Sequence, residues 1–345
     1  MKLSILDQSP ALTGRSESES IRESLALAQH AENLGYHRFW VSEHHNIAAI
    51  VGSAPEILMA AVAATTQRIR IGSAGVMLPH YSALKVAEQF RTLEALAPGR
   101  IDLGLGRAPG GDMRTAQALN SKAHPNAQSA AADFPQQVFD LQAWSQAGEG
   151  ASHRGIHAHP HGPFAPEVWI LGSSDYSAQL AAHFGLPYAF AYFFTDGEGA
   201  EQAVALYRRL YKPSERHPQP EPTLCVWAFA ADTEAEARHH ALSRDRWRVD
   251  RQRGVFGALQ SPEAVAADGF SAADQPTLDA MHQRAFVGSA SQVGAQLRAL
   301  AEEFNLAELV VNTWSHDPAA RRHSYALLAQ EFDLTHLQTH APQSA

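Results

Sequence analysis

Short apolar runs alternate with longer amphipathic ones along most of the chain. Residues 3–6 form a run of strand length, and in residues 20–34 Ile21, Leu25, Ala28, Ala31 and Leu34 recur at helical spacing. Ser20-x-x-Glu23 reads as a capping box opening that helix, and Gly35 suits its C-terminal turn. The second run, 38–42, leads into a helix that starts at Ser53-Ala-Pro55-Glu56, read as a further capping box with proline in the first turn. The same alternation continues with strands predicted at 68–74, 100–105, 167–172, 187–193, 222–230 and 308–313. Helices are predicted at 83–96, 135–145, 175–184, 199–211, 233–251, 289–304 and 317–332.

Eight apolar strands interleaved with helices predict an α/β fold, a (β/α)8 TIM-type barrel. The alternative, a doubly wound sheet, usually has about five to seven strands. The rhythm loosens at 107–166 and 254–285, after the fourth and seventh strands, and long loops at strand ends are often lids. No domain boundary interrupts 1–334, so a single domain is expected there, followed by a disordered tail at 335–345.

Composition narrows the class. With 45% hydrophobic and 18% charged residues in 345, the chain reads as globular, and no apolar run reaches the roughly 20 residues of a membrane span. The N-terminus lacks the apolar core of a signal peptide, so a cytoplasmic protein is expected. A net charge of -9 argues against a nucleic-acid surface. The single cysteine, Cys225, sits between apolar neighbours and reads as an inert core thiol.

Candidate chemistry gathers at strand ends. Phe39-Trp-Val-Ser-Glu43-His44-His45 ends an apolar run in a carboxylate and two imidazoles, where barrels of this kind carry their chemistry. Gly104-Leu-Gly106-Arg107-Ala-Pro109-Gly110 is not a dinucleotide fingerprint, because Pro109 stands where the third glycine belongs. It reads instead as a strand end that approaches a flat ligand, with Arg107 available to an anion. Gly172-Ser173-Ser174-Asp-Tyr176-Ser177 joins a strand to a helix, so hydroxyls and free backbone N–H groups meet at the positive end of a helix dipole. N-capping by Ser173 or Ser174 is the simpler alternative. His153, His157, His159 and His161 match no zinc spacing, and no metal is expected.

Together, Ser42-Glu-His-His45, Gly72-Ser-Ala-Gly-Val-Met-Leu-Pro79, Gly104-Leu-Gly-Arg-Ala108, Trp169-Ile-Leu-Gly-Ser-Ser174 and Phe286-Val-Gly-Ser289 resemble the luciferase-like, flavin-dependent monooxygenase family. The likeness spans residues 3–334 and is strongest to its single-gene bacterial branch. It implies a site for reduced FMN at the C-terminal mouth of the barrel. By this resemblance Ser173, Ser174, Tyr176, Ser177 and Arg107 serve the flavin phosphate and its surroundings, and Ala74-Gly75 matches a non-proline cis peptide against the isoalloxazine ring. His44 matches an acid/base beside the flavin, where an imidazole near pKa 6.5 suits proton handling, and Glu43 matches a carboxylate behind the ring.

The implied activity is an FMNH2-dependent monooxygenase that uses O2 on a small organic substrate. A separate NAD(P)H:flavin reductase would supply the reduced flavin, since no nicotinamide motif is found. A homodimer is expected, and light emission is not, because Gly106 replaces a cysteine of the bioluminescent members. Two alternatives remain at this stage: hydride transfer with the deazaflavin F420, and a non-catalytic flavin-binding protein.

Overall fold

The computed structural model describes residues 1–108, 110–120, 127–148 and 152–334. Eight parallel strands form the barrel: β1 (Lys2–Asp7), β2 (Arg38–Val41), β3 (Arg70–Met77), β4 (Ile101–Gly106), β5 (Glu167–Gly172), β6 (Tyr188–Phe190), β7 (Pro222–Ala231) and β8 (Glu308–Asn312). Each pairs with the next, and β8 closes on β1 with Leu3 opposite Leu309 and Ile5 opposite Val311. Closure leaves no open sheet edge. A further strand, Phe286–Ser289, runs beside the outer half of β7, with Val287 opposite Phe229.

The outer helices are α1 (Glu17–Leu34), α2 (Pro55–Thr65), α3 (Ala83–Leu96), α4 (Ala127–Trp144), α5 (Asp175–Phe184), α6 (Ala200–Leu210), α7 (Ala290–Glu303) and α8 (Pro318–Glu331). Two predicted caps are corrected. α1 begins a turn early because Ser16 and Glu19 form the box, while Ser20 is buried and its carbonyl accepts from Ser24 Oγ. α2 has Pro55 in its first turn as expected, but its N-cap is Ala54 and no side chain caps it. Gly35 ends α1 in the left-handed region at φ 88, and the Ser289–Gln292 box of α7 is formed.

The insertions are more ordered than the sequence suggests. The first contains helix Met113–Leu119 and an α4 that starts before the expected residue 135. The second contains helices Pro262–Asp268 and Gln275–His282 joined by a 3-10 turn at Ala272–Asp274, so 254–285 is about half helical rather than irregular, while the helix expected at 233–251 runs Glu234–Gln252. The expected tail, 335–345, lies outside the described residues.

Inside the barrel the layers differ in kind. Near the N-terminal ends of the strands, Arg38 and Arg70 meet Asp102, Glu167 and Glu308 in one charged floor. Above it Leu6, Trp40, Trp169, Ala189, Cys225 and Val310 pack together, with the two indoles edge to face at 5.1 Å. Gly72 makes room for Trp40, since a Cβ there would lie 2.5 Å from Trp40 Cδ1 and 2.8 Å from Asp102 Cβ. Burial holds the Cys225 thiol protonated, as its apolar neighbours suggest. Above this layer the barrel opens.

Candidate active site

A cavity of about 730 Å³ lies over the C-terminal ends of the strands. β2 delivers His44 to its wall, where His44 N donates to the Gly52 carbonyl at 2.9 Å and Nδ1 lies 3.1 Å from Ser42 Oγ. Nε2 has no hydrogen bond from the described residues. Burial first, then the positive charges of His45 and Arg251, push the His44 pKa down to about 4. That corrects the expected value near 6.5: at neutral pH this imidazole is unprotonated and a weaker base than a free histidine.

Glu43 does not line the cavity. It is 1% exposed and stands behind the wall, accepting from Tyr81 Oη at 2.6 Å and Met77 N at 2.9 Å, with His45 Nε2 at 2.7 Å from Oε1. Burial and this carboxylate push the Tyr81 phenol well up, so it remains a donor. The contact also gives His45 a place that sequence reasoning left open. Glu43 thus ties the end of β2 to the end of β3.

Ala74 lines the cavity and Gly75 backs it; the bond between them is cis. The β3–β4 register shifts between Ser73 and Val76, and Ser73 Oγ there donates to Gly104 O at 3.0 Å and accepts from Gly104 N at 3.1 Å. A Cβ on Gly75 would lie 2.6 Å from Leu171 Cδ1 and 2.8 Å from Gly104 O, so the chain needs glycine to pass.

On the next wall, Arg107 from the end of β4 stacks over Tyr176 in the first turn of α5, 4.1 Å from the ring centroid. Ser174 occupies the N-cap of α5 without a side-chain cap bond, so simple capping does not account for it. Neither the Ser173 nor the Ser174 hydroxyl has a partner among the described residues. Ser177 Oγ donates to the Ser174 carbonyl at 2.7 Å and lies 3.2 Å from Tyr188 Oη, which fixes the turn. The result is a helix N-terminus with free N–H groups and two free hydroxyls beside a cation, all on the cavity.

His44, Ala74, Arg107, Ser173, Ser174, Tyr176 and Ser177 therefore face one space, and Glu43 and Gly75 support it from behind. Sequence reasoning missed the rest of the wall. Trp227 within β7, Trp314 just past β8, and Arg244, Trp247, Arg248 and Arg251 on helix Glu234–Gln252 all line it. Trp314 follows the same strand-end rule as His44 and was legible by it, whereas Trp227 sits inside its strand and was not. The histidine loop lies elsewhere: His153 Nε2 meets Asp140 at 2.9 Å, and the rings of His157, His159 and His161 gather at 4.6–6.5 Å.

Burial of neutral imidazoles makes stability depend on pH. His44 and His37 are both depressed to about 4 by loss of solvation, so the unfolded chain takes up protons first as pH falls. Their stabilisation is complete above the unfolded value of about 6.5 and is lost toward pH 4, by at most about 3 kcal/mol each. Urea midpoints compared near pH 7.5 and 5 are expected to show this loss, and His37→Gln should remove about half of it.

A family model for luciferase-like monooxygenases matches residues 1–305. A luciferase-like monooxygenase of Escherichia coli is 40% identical over 325 residues, covering 94% of this chain and 95% of that protein. The N-acetyl-S-alkylcysteine monooxygenase of Bacillus subtilis is 35% identical over 335 residues, covering 95% and 97%. The crystal structure of apo-MsnO8 superposes with a TM-score of 0.88 at 36% identity, covering 96% of this chain and 98% of that one. The fold alone is shared with an FMN complex of the oxygenating constituent of 3,6-diketocamphane monooxygenase (TM-score 0.69, 20% identity) and an F420-dependent secondary alcohol dehydrogenase (0.67, 14%). With that family model matched over residues 1–305 and relatives 35–40% identical over nearly the whole chain, this chain belongs to the luciferase-like monooxygenase family.

Proposed function

We propose that the protein is an FMNH2-dependent monooxygenase acting with O2 on a small organic substrate. The observation that carries this reading is the convergence on one cavity of an uncapped α5 N-terminus beside Arg107, the Ala74 wall and a neutral His44. FMN fits the residues present. Its phosphate would be held by the free N–H groups and hydroxyls of Ser173 and Ser174 with Arg107 as countercharge, and its flat ring by the Ala74 wall.

When bound, the reduced flavin supplies oxygen activation. The chain's own part is to orient, to exclude water and to move a proton. The two insertions add Phe134, buried, and Phe256, half-exposed, to the cavity wall, apolar groups that would limit solvent around the ring. His44, unprotonated and oriented by Ser42 at Nδ1, would hold a proton on Nε2 beside the ring and give it back. Glu43 keeps β2 and β3 in register behind that exchange.

A separate NAD(P)H:flavin reductase and a cytoplasmic homodimer belong to the same proposal, because the sequence offers no nicotinamide motif. Among the described residues no helix is long and apolar enough to cross a membrane. The test is stopped-flow mixing of FMNH2-loaded protein with oxygen. Reoxidation on a time course distinct from that of free FMNH2 is expected; reoxidation at the free-solution rate would overturn the reading. Titration with FMN and F420 side by side separates the deazaflavin alternative, and tight binding of F420 alone would replace FMN. Replacing Ser173 and Ser174 together by alanine removes two hydroxyl donors, with an expected loss of FMN affinity of about 10–100-fold, measured by flavin fluorescence.

A further inference from the structure

The cavity has a second cationic wall that flavin binding leaves unused. On helix Glu234–Gln252, Arg244, Arg248 and Arg251 stand at i, i+4 and i+7, a spacing that puts three side chains on one face, and all three line the cavity. One carboxylate answers them. Asp196 accepts from Arg248 at 2.9 and 2.5 Å and lies 3.5 Å from Arg244. Arg244 is buried, with its guanidinium 4.0 Å from the Trp227 ring centroid.

Arg251 has no carboxylate partner among the described residues. Its neighbours are the rings of Phe194 and Trp247, each at 5.6 Å. The remaining acid on the cavity wall among the described residues, Asp112, already accepts from Thr115 N at 2.8 Å and Asn46 Nδ2 at 3.2 Å. Three cations against Asp196 therefore leave about two positive charges beside aromatic rings, with Arg244 buried and Arg251 exposed to solvent. Such charges favour an anion, and a guanidinium matches a carboxylate in geometry as well as sign. The flavin phosphate already has its own partners at the β5–α5 junction.

We propose that the Arg244–Arg248–Arg251 wall binds the carboxylate of an organic acid substrate, with Arg251 as its direct partner. The apolar body of that substrate lies against Phe194, Trp227 and Trp247. This rests on the monooxygenase reading for what happens to the substrate, but not for the binding itself. It also links recognition to the proton: Arg251 helps to hold the His44 pKa down, so an anion seated on Arg251 raises it.

The test uses the full chain with and without FMN, and a series of acids (hexanoate, 3-phenylpropionate, indole-3-propionate), each paired with its primary amide. Binding is read by tryptophan fluorescence and thermal shift. At least one acid is expected to bind about tenfold or more tightly than its amide, the worth of one charge-assisted bond. Arg251→Gln is expected to remove that preference while FMN affinity stays within about threefold. With the acid bound, the His44 ring proton signals titrate at higher pH. The proposal is overturned if no acid is preferred to its amide, or if Arg251→Gln weakens FMN and spares the preference, which would give the wall to the flavin phosphate. Acid preference without any FMN binding would support this wall and overturn the flavin reading alone.

Discussion

In His44→Gln, oxygenation of any acceptor the wild-type protein uses is expected to fall by about 10²–10⁴-fold, the usual worth of a positioned acid/base. FMN affinity should change little, because the proposed phosphate site lies at β4 and α5, on other walls of the cavity. The pH profile carries the sharper signature. Burial, His45 and Arg251 push the His44 pKa to about 4, so wild-type activity should hold through neutral pH and decline only as the imidazole is protonated toward that value. Glutamine keeps a hydrogen bond to Ser42 but cannot take up a proton, so the acidic decline should vanish along with most of the rate. A protein that merely stored flavin would show neither change. Equal activity in the two proteins would remove His44 from the chemistry and leave it a wall residue.

The barrel was legible because two periodicities repeat in one order. β2 was placed at 38–42 and runs Arg38–Val41; β7 was placed at 222–230 and runs Pro222–Ala231. Apolar runs of this length between capped helices have few other solutions. Errors fell where local signals compete. Ser16 and Ser20 both precede a glutamate by three residues, and the buried environment of Ser20 decided between them. The helices within 254–285 sit among polar residues without a long apolar stripe, and tertiary contacts hold them.

The site was partly legible for a related reason. Residues at strand ends, such as His44 and Arg107, inherit their position from the barrel, so the sequence order places them; Ala74 reaches the cavity from within β3, which runs on past the predicted end at 74 to Met77. Glu43 sits one residue from His44 in the loop just past β2, yet it turns behind the wall, where it bonds Tyr81 and Met77 and does not line the cavity. Arg244, Arg248 and Arg251 were invisible because a helix bearing arginines on one face ordinarily reads as solvated. Only the placement of helix Glu234–Gln252 over the mouth turns that face inward.

The charged floor was hidden by the same logic, and it yields the largest expected effect on stability. Arg38 and Arg70 open their strands and Asp102 follows the start of its own, positions where charge normally marks an exit to solvent. Here Asp102 is 0% exposed and accepts from Arg38 Nη1 at 2.8 Å, Arg70 Nε at 3.0 Å and Trp40 Nε1 at 2.9 Å. Burial opposes its ionisation, but Arg38 and Arg70 outweigh that and hold the carboxyl below its ordinary value.

Asp102→Asn is therefore expected to cost about 3 kcal/mol, since buried Arg38 and half-buried Arg70 lose the carboxylate they share and keep only Glu308 and Glu167, while an amide faces them instead. The other acids cannot take its place. Glu308 is held by Arg38 Nε at 3.1 Å, and Glu167 by Arg70 at 2.9 Å. Urea denaturation should show a lower midpoint at unchanged slope, a large part of the roughly 5–15 kcal/mol that a folded domain has. The loss should be fullest at neutral pH and shrink as pH falls through the carboxyl's folded value, where wild-type Asp102 is itself protonated. Trp40 carries the effect upward, because its indole loses an acceptor while forming part of the cavity wall. FMN affinity should thus weaken in this variant although Asp102 touches no part of the cavity. A midpoint within about 1 kcal/mol of wild type would mean that the floor's desolvation cost cancels its attractions, as buried ion pairs can.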